Sequence, residues 1–137
     1  MERDEILAMP AGRDVDCLVA ERVMGWTNIR LGPSVNGAPC PVGEGPDGEH
    51  GTVPAYSTDI AAAFGVLVKS QEETGCRSYL ERNKAFVWEV DLGTATAAVS
   101  EFEPQINFDS KRAAALAICR AALLVANETL EPKRETS

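Results

Sequence analysis

Between Ala113 and Ala126 the chain carries one charged residue, Arg120, in fourteen positions. A helix that is apolar on nearly every side is stable only when it is enclosed, by the rest of its own chain or by a second subunit. Asp109 or Ser110 supplies an N-cap, and the spacing predicts a helix to about residue 129. Ala115, Ile118, Cys119, Ala122, Leu123 and Ala126 make its inner stripe. Leu116 and Leu124 fall outside that stripe, on the side of Arg120, and so predict a homo-oligomer, with a closed dimer as the commonest form.

Shorter amphipathic segments precede it. Residues 3–9 read as a helical turn, which Pro10 stops unless it starts the next helix. From Pro10 to Met24 the positions Ala11, Val15, Leu18, Val19 and Val23 recur at helical spacing. Arg13, Asp14, Asp16, Glu21 and Arg22 fall largely on the other side, and Gly25 reads as the C-cap. Tyr56-Ser57-Thr58-Asp59 opens another helix, with Ser57 as the N-cap and Asp59 favourable to the helix dipole. Ile60, Ala63, Phe64, Leu67 and Val68 predict its buried face. Gly65 within it predicts a close approach to a neighbouring backbone, and Gly75 marks the end.

Residues 76–82, 85–92 and 95–102 read as three strands, the first two joined by a tight hairpin at Asn83-Lys84. Phe86, Trp88, Val90 and Leu92 share one face of the second strand, and Val87, Glu89 and Asp91 the other. Short connections make an antiparallel meander. Residues 32–51, in contrast, hold six of the eleven glycines and four of the eight prolines. That composition predicts a long surface loop, without the G-x-x-x-x-G-K-[ST] pattern of a phosphate cradle. The expected fold is α+β: a small antiparallel meander of about three strands with helices on both faces, an α/β/α sandwich. It occupies a single domain over 1–130, with a Gly/Pro-rich loop at 32–54 and a polar tail at 131–137.

Composition narrows the function. With 13 Lys+Arg against 21 Asp+Glu, the net charge is −8. An acidic chain lacks the basic footprint of a long nucleic-acid binder or of a protein that docks on anionic membrane. No segment has the ~20 apolar residues of a membrane span, and the charged start Met1-Glu2-Arg3-Asp4-Glu5 does not read as a signal peptide. Cys17, Cys40, Cys76 and Cys119 are scattered without a C-x-x-C pair and read as reduced structural thiols.

Four blocks now coincide in order: Glu5-Ile6-Leu7, Val23-Met24-Gly25-Trp26, Tyr56-Ser57-Thr58-Asp59-Ile60-Ala61-Ala62-Ala63-Phe64 and Ala117-Ile118-Cys119-Arg120-Ala121-Ala122-Leu123-Leu124. Together they resemble the phage ABA sandwich domain family, small proteins of bacteriophages and prophages. The Gly/Pro segment is longer than that family's pattern, and Phe64 stands where a Trp is expected. The resemblance implies an α/β/α sandwich and a phage-encoded accessory protein in the cytoplasm of the host. It implies no enzymatic activity and no cofactor.

The residues agree on the last point. The single histidine, His50, falls in the Gly/Pro segment, a poor platform for a catalytic base. Cys40, Glu44, Asp47, Glu49 and His50 match no metal-ligand spacing. Glu89 and Asp91 form a carboxylate pair on one strand face, which reads as a solvated surface, so no catalytic residue is assigned. A ligand site is better supported, because nine of the thirteen basic residues are arginines, suited to planar capture of phosphate or carboxylate. Trp26, Arg30, Tyr56, Ser57, Asp59 and Arg120 are the candidate ligand-binding residues. Trp26 and Tyr56 would stack, the arginines would hold charge, and Asp59 would accept hydrogen bonds from a ribose or base. The expected function is sequestration of a small anionic, nucleotide-derived host immune signal, such as a cyclic nucleotide or an ADP-ribose derivative. The alternative is an acidic protein–protein antagonist of a host defence protein.

Overall fold

The computed structural model describes residues 3–35, 38–75, 78–93, 95–103, 106 and 109–130, with backbone alone for 33–35, 38–40, 74 and 128–130. The elements are α1 (Arg3–Ala8), α2 (Arg13–Arg22), β1 (Thr27–Val35), β2 (Ala38–Glu44), β3 (His50–Thr52), α3 (Ile60–Thr74), β4 (Tyr79–Arg82), β5 (Val87–Asp91), β6 (Thr96–Ser100) and α4 (Ser110–Leu130).

Helix α4 is the middle layer of the sandwich. Asp109 caps it by accepting from the N–H groups of Lys111 and Arg112. Every residue from Ala113 to Val125 is buried, including Leu116 and Leu124. Those two leucines therefore belong to the core of the chain, and the reason they offered for an oligomer falls away. The β4–β5–β6 meander packs on α4 through β5 and β6, and α1, α2 and α3 pack on it as well. Val90, Leu92, Ala97 and Val99 form the inner face of that sheet. Alanines on both α4 and β6 let helix and sheet approach closely.

The β4–β5 connection differs from a two-residue hairpin. Arg82 pairs with Trp88 across the ladder, and Asn83 accepts at its side-chain oxygen from the N–H groups of Ala85 and Val87. The last residue before β5 is Phe86, at φ 61, a left-handed position that usually falls to glycine in a three-residue connection. Phe86 thereby leaves the inward face it was expected to share. It is instead exposed, with the Arg82 guanidinium 4.6 Å above its ring and Phe102 edge-on at 5.6 Å.

The Gly/Pro-rich segment is the main departure from the expected fold. It forms a second antiparallel sheet, β1–β2–β3, and not a loop. Pro39 and Pro41 lie in the central strand, where proline is normally excluded. The Pro41 carbonyl accepts from Val53 N, so residues 39, 41 and 43 turn their backbone groups toward the β3 side. The missing proline N–H groups therefore do not interrupt the ladder with β1. β3 pairs with Val42, Gly43 and Glu44, beyond the prolines. Gly43 is needed for a different reason: a Cβ there would lie 2.9 Å from the Thr27 carbonyl oxygen and 3.2 Å from Ile29 Cγ1.

Three helix details also differ. Helix α2 ends at Arg22 with Val23 as its C-cap, and Gly25 (φ 83) follows. Asp59 caps α3 by accepting from Ala61 N, and Ser57 does not. Of the predicted inward face of α3, Ala63 is buried together with Val66, whereas Phe64 and Val68 are exposed and Ile60 and Leu67 half-buried. Gly65 has open space where a close backbone was expected. The expected strand residue Arg77, Cys76 and the tail 131–137 lie outside the described residues.

Gly43→Ala is expected to destabilise the protein by about 1–3 kcal/mol, since backbone and a β-branched side chain must both move. A lowered urea midpoint with unchanged slope checks this.

Candidate functional site

The predicted ligand residues separate into three places. The first is a sealed cluster where α2, the start of β1 and the turn before α3 meet. Ser57 is fully buried and donates to Asp16 Oδ1 twice, from its N–H at 2.8 Å and its hydroxyl at 2.7 Å. The hydroxyl also accepts from Gly12 N at 2.9 Å. Burial pushes the Asp16 carboxyl above its ordinary range, against the pull of the two Ser57 bonds. Tyr56 is buried beside it, its phenol pushed up by burial and held by a hydrogen bond from Trp26. Trp26 is half-buried and lies over Gly45, between β2 and β3. Trp26, Tyr56 and Ser57 thus come together as a structural joint, with Tyr56 and Ser57 buried and Trp26 partly exposed. Asp59 is close in sequence but exposed, and its carboxylate is engaged as the α3 cap.

The second place is Arg120, 4% exposed. Its Nε and Nη2 donate to the Met9 carbonyl at 3.1 and 2.6 Å, and Nη1 lies 3.7 Å from Glu103 Oε2. Burial lowers its affinity for the proton, and Glu103 opposes that. Arg120 therefore satisfies the carbonyl end of α1 from inside the core. Its carboxylate partner is Glu103.

The third place is Arg30, on the open face of the first sheet. Its Nη1 donates to the Asn28 carbonyl at 2.7 Å and lies 3.6 Å from Glu44 Oε2. Glu44 also accepts from Asn28 Nδ2 at 2.7 Å and contacts His50 Nδ1 at 3.3 Å, and these bonds hold its carboxyl below the usual range. His50 is thus a strand residue paired with Glu44, not a loop residue. Arg30 borders a shallow depression of about 290 Å³ with Cys17, Leu18, Glu21, Ile29 and Leu31, and a second of about 440 Å³ with Asn28, Ile29 and Glu44.

One further feature had no place in the sequence reading, and a second extends the Glu89/Asp91 pair that did. Glu101, buried after β6, accepts from Arg82 Nε at 2.7 Å, Trp88 Nε1 at 2.8 Å and Ser110 Oγ at 2.9 Å. Arg82 leads in holding its carboxyl down at about 2, so Glu101 stays ionised and ties the meander to the start of α4. On the outer face of the same sheet, Glu81 pairs directly with Glu89, and Tyr79 with Asp91. With Thr96 they line a groove of about 420 Å³. The cross-strand position of Glu81 was readable only with the three-residue register at Asn83, which a left-handed Phe86 conceals. Cys17 is half-buried and Cys119 buried, with burial raising both thiols out of the reactive range. Cys76 and the side chain of Cys40 lie outside the described residues. Among the described residues no group of three or more His, Cys, Asp or Glu is placed to hold a metal, and no helix is long and apolar enough to cross a membrane.

An enclosed α4 with a meander on one side and helices on the other defines a small α+β sandwich. The family model of the phage ABA sandwich domain matches residues 17–123, and the chain belongs to that family. It is a phage-associated protein on that evidence. No curated protein and no solved structure matches it.

Asp16 and Glu101 are expected to act on stability with opposite sign. The folded pKa of Asp16 is raised, so its contribution is full below its unfolded value and lost as pH rises through the folded one. The folded pKa of Glu101 is depressed, so its contribution is present above its unfolded value and lost as pH falls toward about 2. Asp16→Asn should therefore gain stability relative to the parent at pH 7 more than at pH 3. Glu101→Gln should lose stability at pH 7, and the loss should shrink in acid. Urea midpoints of the three proteins across that range check both.

Proposed function

We propose that this phage protein is a non-catalytic accessory protein of the host cytoplasm that docks a cationic segment of a host defence protein on the open face of β4–β5–β6. The observation that carries the reading is the Glu81–Glu89 pair, with Asp91 next to it on the same face. Like charges directly opposite each other weaken a ladder. Among the described residues no Lys or Arg is paired with any of the three. A basic partner would relieve that repulsion, and Tyr79, 60% exposed, offers an aromatic anchor beside it. The net charge of −8 steers such a partner in and keeps long nucleic acid and anionic membrane away.

The alternative, capture of a small nucleotide-derived anion, is supported by Arg30 alone. It reaches solvent beside the apolar residues Leu18, Ile29 and Leu31. Tyr56, Ser57 and Arg120, which that reading also needs, are enclosed in the core.

The triple variant Glu81→Gln, Glu89→Gln, Asp91→Asn separates the two. It is expected to gain roughly 0.2–1 kcal/mol of stability as the repulsion is removed. It is also expected to lose binding to a Lys/Arg-rich probe peptide, binding that in the parent weakens with salt. Retained peptide binding would sink the docking reading. A thermal shift with cyclic nucleotides or ADP-ribose that Arg30→Ala abolishes would put the alternative in its place.

A further inference from the structure

The meander has an open edge at β4. In its sheet β4 pairs with β5 alone, and the register runs from Tyr79–Asp91 to Arg82–Trp88 without a shift. Antiparallel pairs alternate between those that exchange backbone hydrogen bonds and those that do not. Asn83 N donates to Val87 O at 2.9 Å, which sets the phase, so Glu81 and Tyr79 bond across to β5. The other side of β5 agrees. Glu101 N donates to Phe86 O and Leu92 N to Ala95 O, so the even-numbered residues there bond toward β6. Leu80 and Arg82 therefore turn their N–H and C=O groups away from the sheet. Among the described residues no backbone group meets them.

We infer, resting on the docking proposed above, that the cationic segment adds to this edge as an extended strand antiparallel to β4. An open edge holds such a strand through main-chain bonds, and alternate side chains give the specificity. The added strand bonds at Leu80 and Arg82. Its residue opposite Glu81 then falls in a close, non-hydrogen-bonded pair, with its side chain on the acidic face. A Lys or Arg there meets Glu81 directly, with Glu89 on the next strand. Two places along, the strand passes Tyr79, whose exposed ring suits a second cation. The residue between these two points inward beside the half-buried Leu80 and is apolar. A cation on that inner side would meet Arg82, which already holds Glu101. The partner's pattern is thus basic, apolar, basic.

The remaining edges suit this partner less. The β6 edge carries the uncharged Thr96 and Ala98, and the Ser100 carbonyl already accepts from Glu103 N. β3 is three residues long, and the pairing of β1 is interrupted by register shifts.

Residue-resolved amide exchange with a probe peptide of alternating Lys and Val tests this. The amides of Leu80 and Arg82 are expected to gain protection on binding. Those of Tyr79 and Glu81, already bonded to β5, should change little. N-methylation of one alternate set of peptide amides should weaken binding about tenfold per bond removed, and methylation of the other set should leave it intact. Suppose the peptide binds, and the triple variant Glu81→Gln, Glu89→Gln, Asp91→Asn releases it, yet Leu80 and Arg82 gain no protection. Strand addition is then overturned while docking on the acidic face stands. Equal effects of the two methylated sets overturn it in the same way. Absence of binding, or binding that survives the triple variant, removes the docking itself and this mode with it.

Discussion

The enclosure of α4 is the constraint on which the rest of the structure depends. From Ala113 to Val125 the helix has no solvent side, so it cannot rest on one neighbour in the way an amphipathic helix does. It needs a sheet on one flank and helices around the others. The meander, α1, α2 and α3 are that enclosure. Because α4 comes last in the chain, the wrapping elements form contacts across long sequence separations. The Met9–Arg120 bond, which joins the two ends of the fold, is the extreme case.

The buried charges serve the same enclosure. Asp16 ties α2 to the turn before α3, Arg120 ties α1 to α4, and Glu101 ties β4, β5 and the start of α4 together. Each is met by hydrogen-bond partners, as a buried charge requires, and no buried side-chain polar atom among the described residues is left without a partner. The chemistry that the arginine and aromatic positions suggested for a ligand is therefore largely spent on assembly. What remains available to a partner lies on the outer surfaces: the carboxylates of the meander, the Arg30 depressions and the bare side of α3.

Much of this was legible beforehand, and the failures have physical causes. Helical periodicity located α2, α3 and α4, and the order of short strands located the meander, because those signals arise from burial on one face. Asp16 was placed on a solvent side because a carboxylate carries no sign that Ser57, forty-one residues on, will satisfy it. Phe64 and Val68 satisfied the helical pattern as well as any core residue, and nothing in spacing says which of two apolar faces the fold will use. The first sheet was missed because proline and glycine counts ignore direction. A proline harms a ladder only on the side where its N–H is required.

That directional use of proline has a consequence for how the protein behaves among its own copies. A sheet edge invites another strand when it presents a regular row of donors and acceptors. Along β2, past the three residues that β3 covers, Pro41 has no donor and its carbonyl is already taken by Val53 N, and Pro39 offers a carbonyl without a donor. An incoming strand would find half of its hydrogen bonds unavailable at alternate residues. The composition that looked too irregular for a strand thus makes this stretch of β2 a poor template for a further strand.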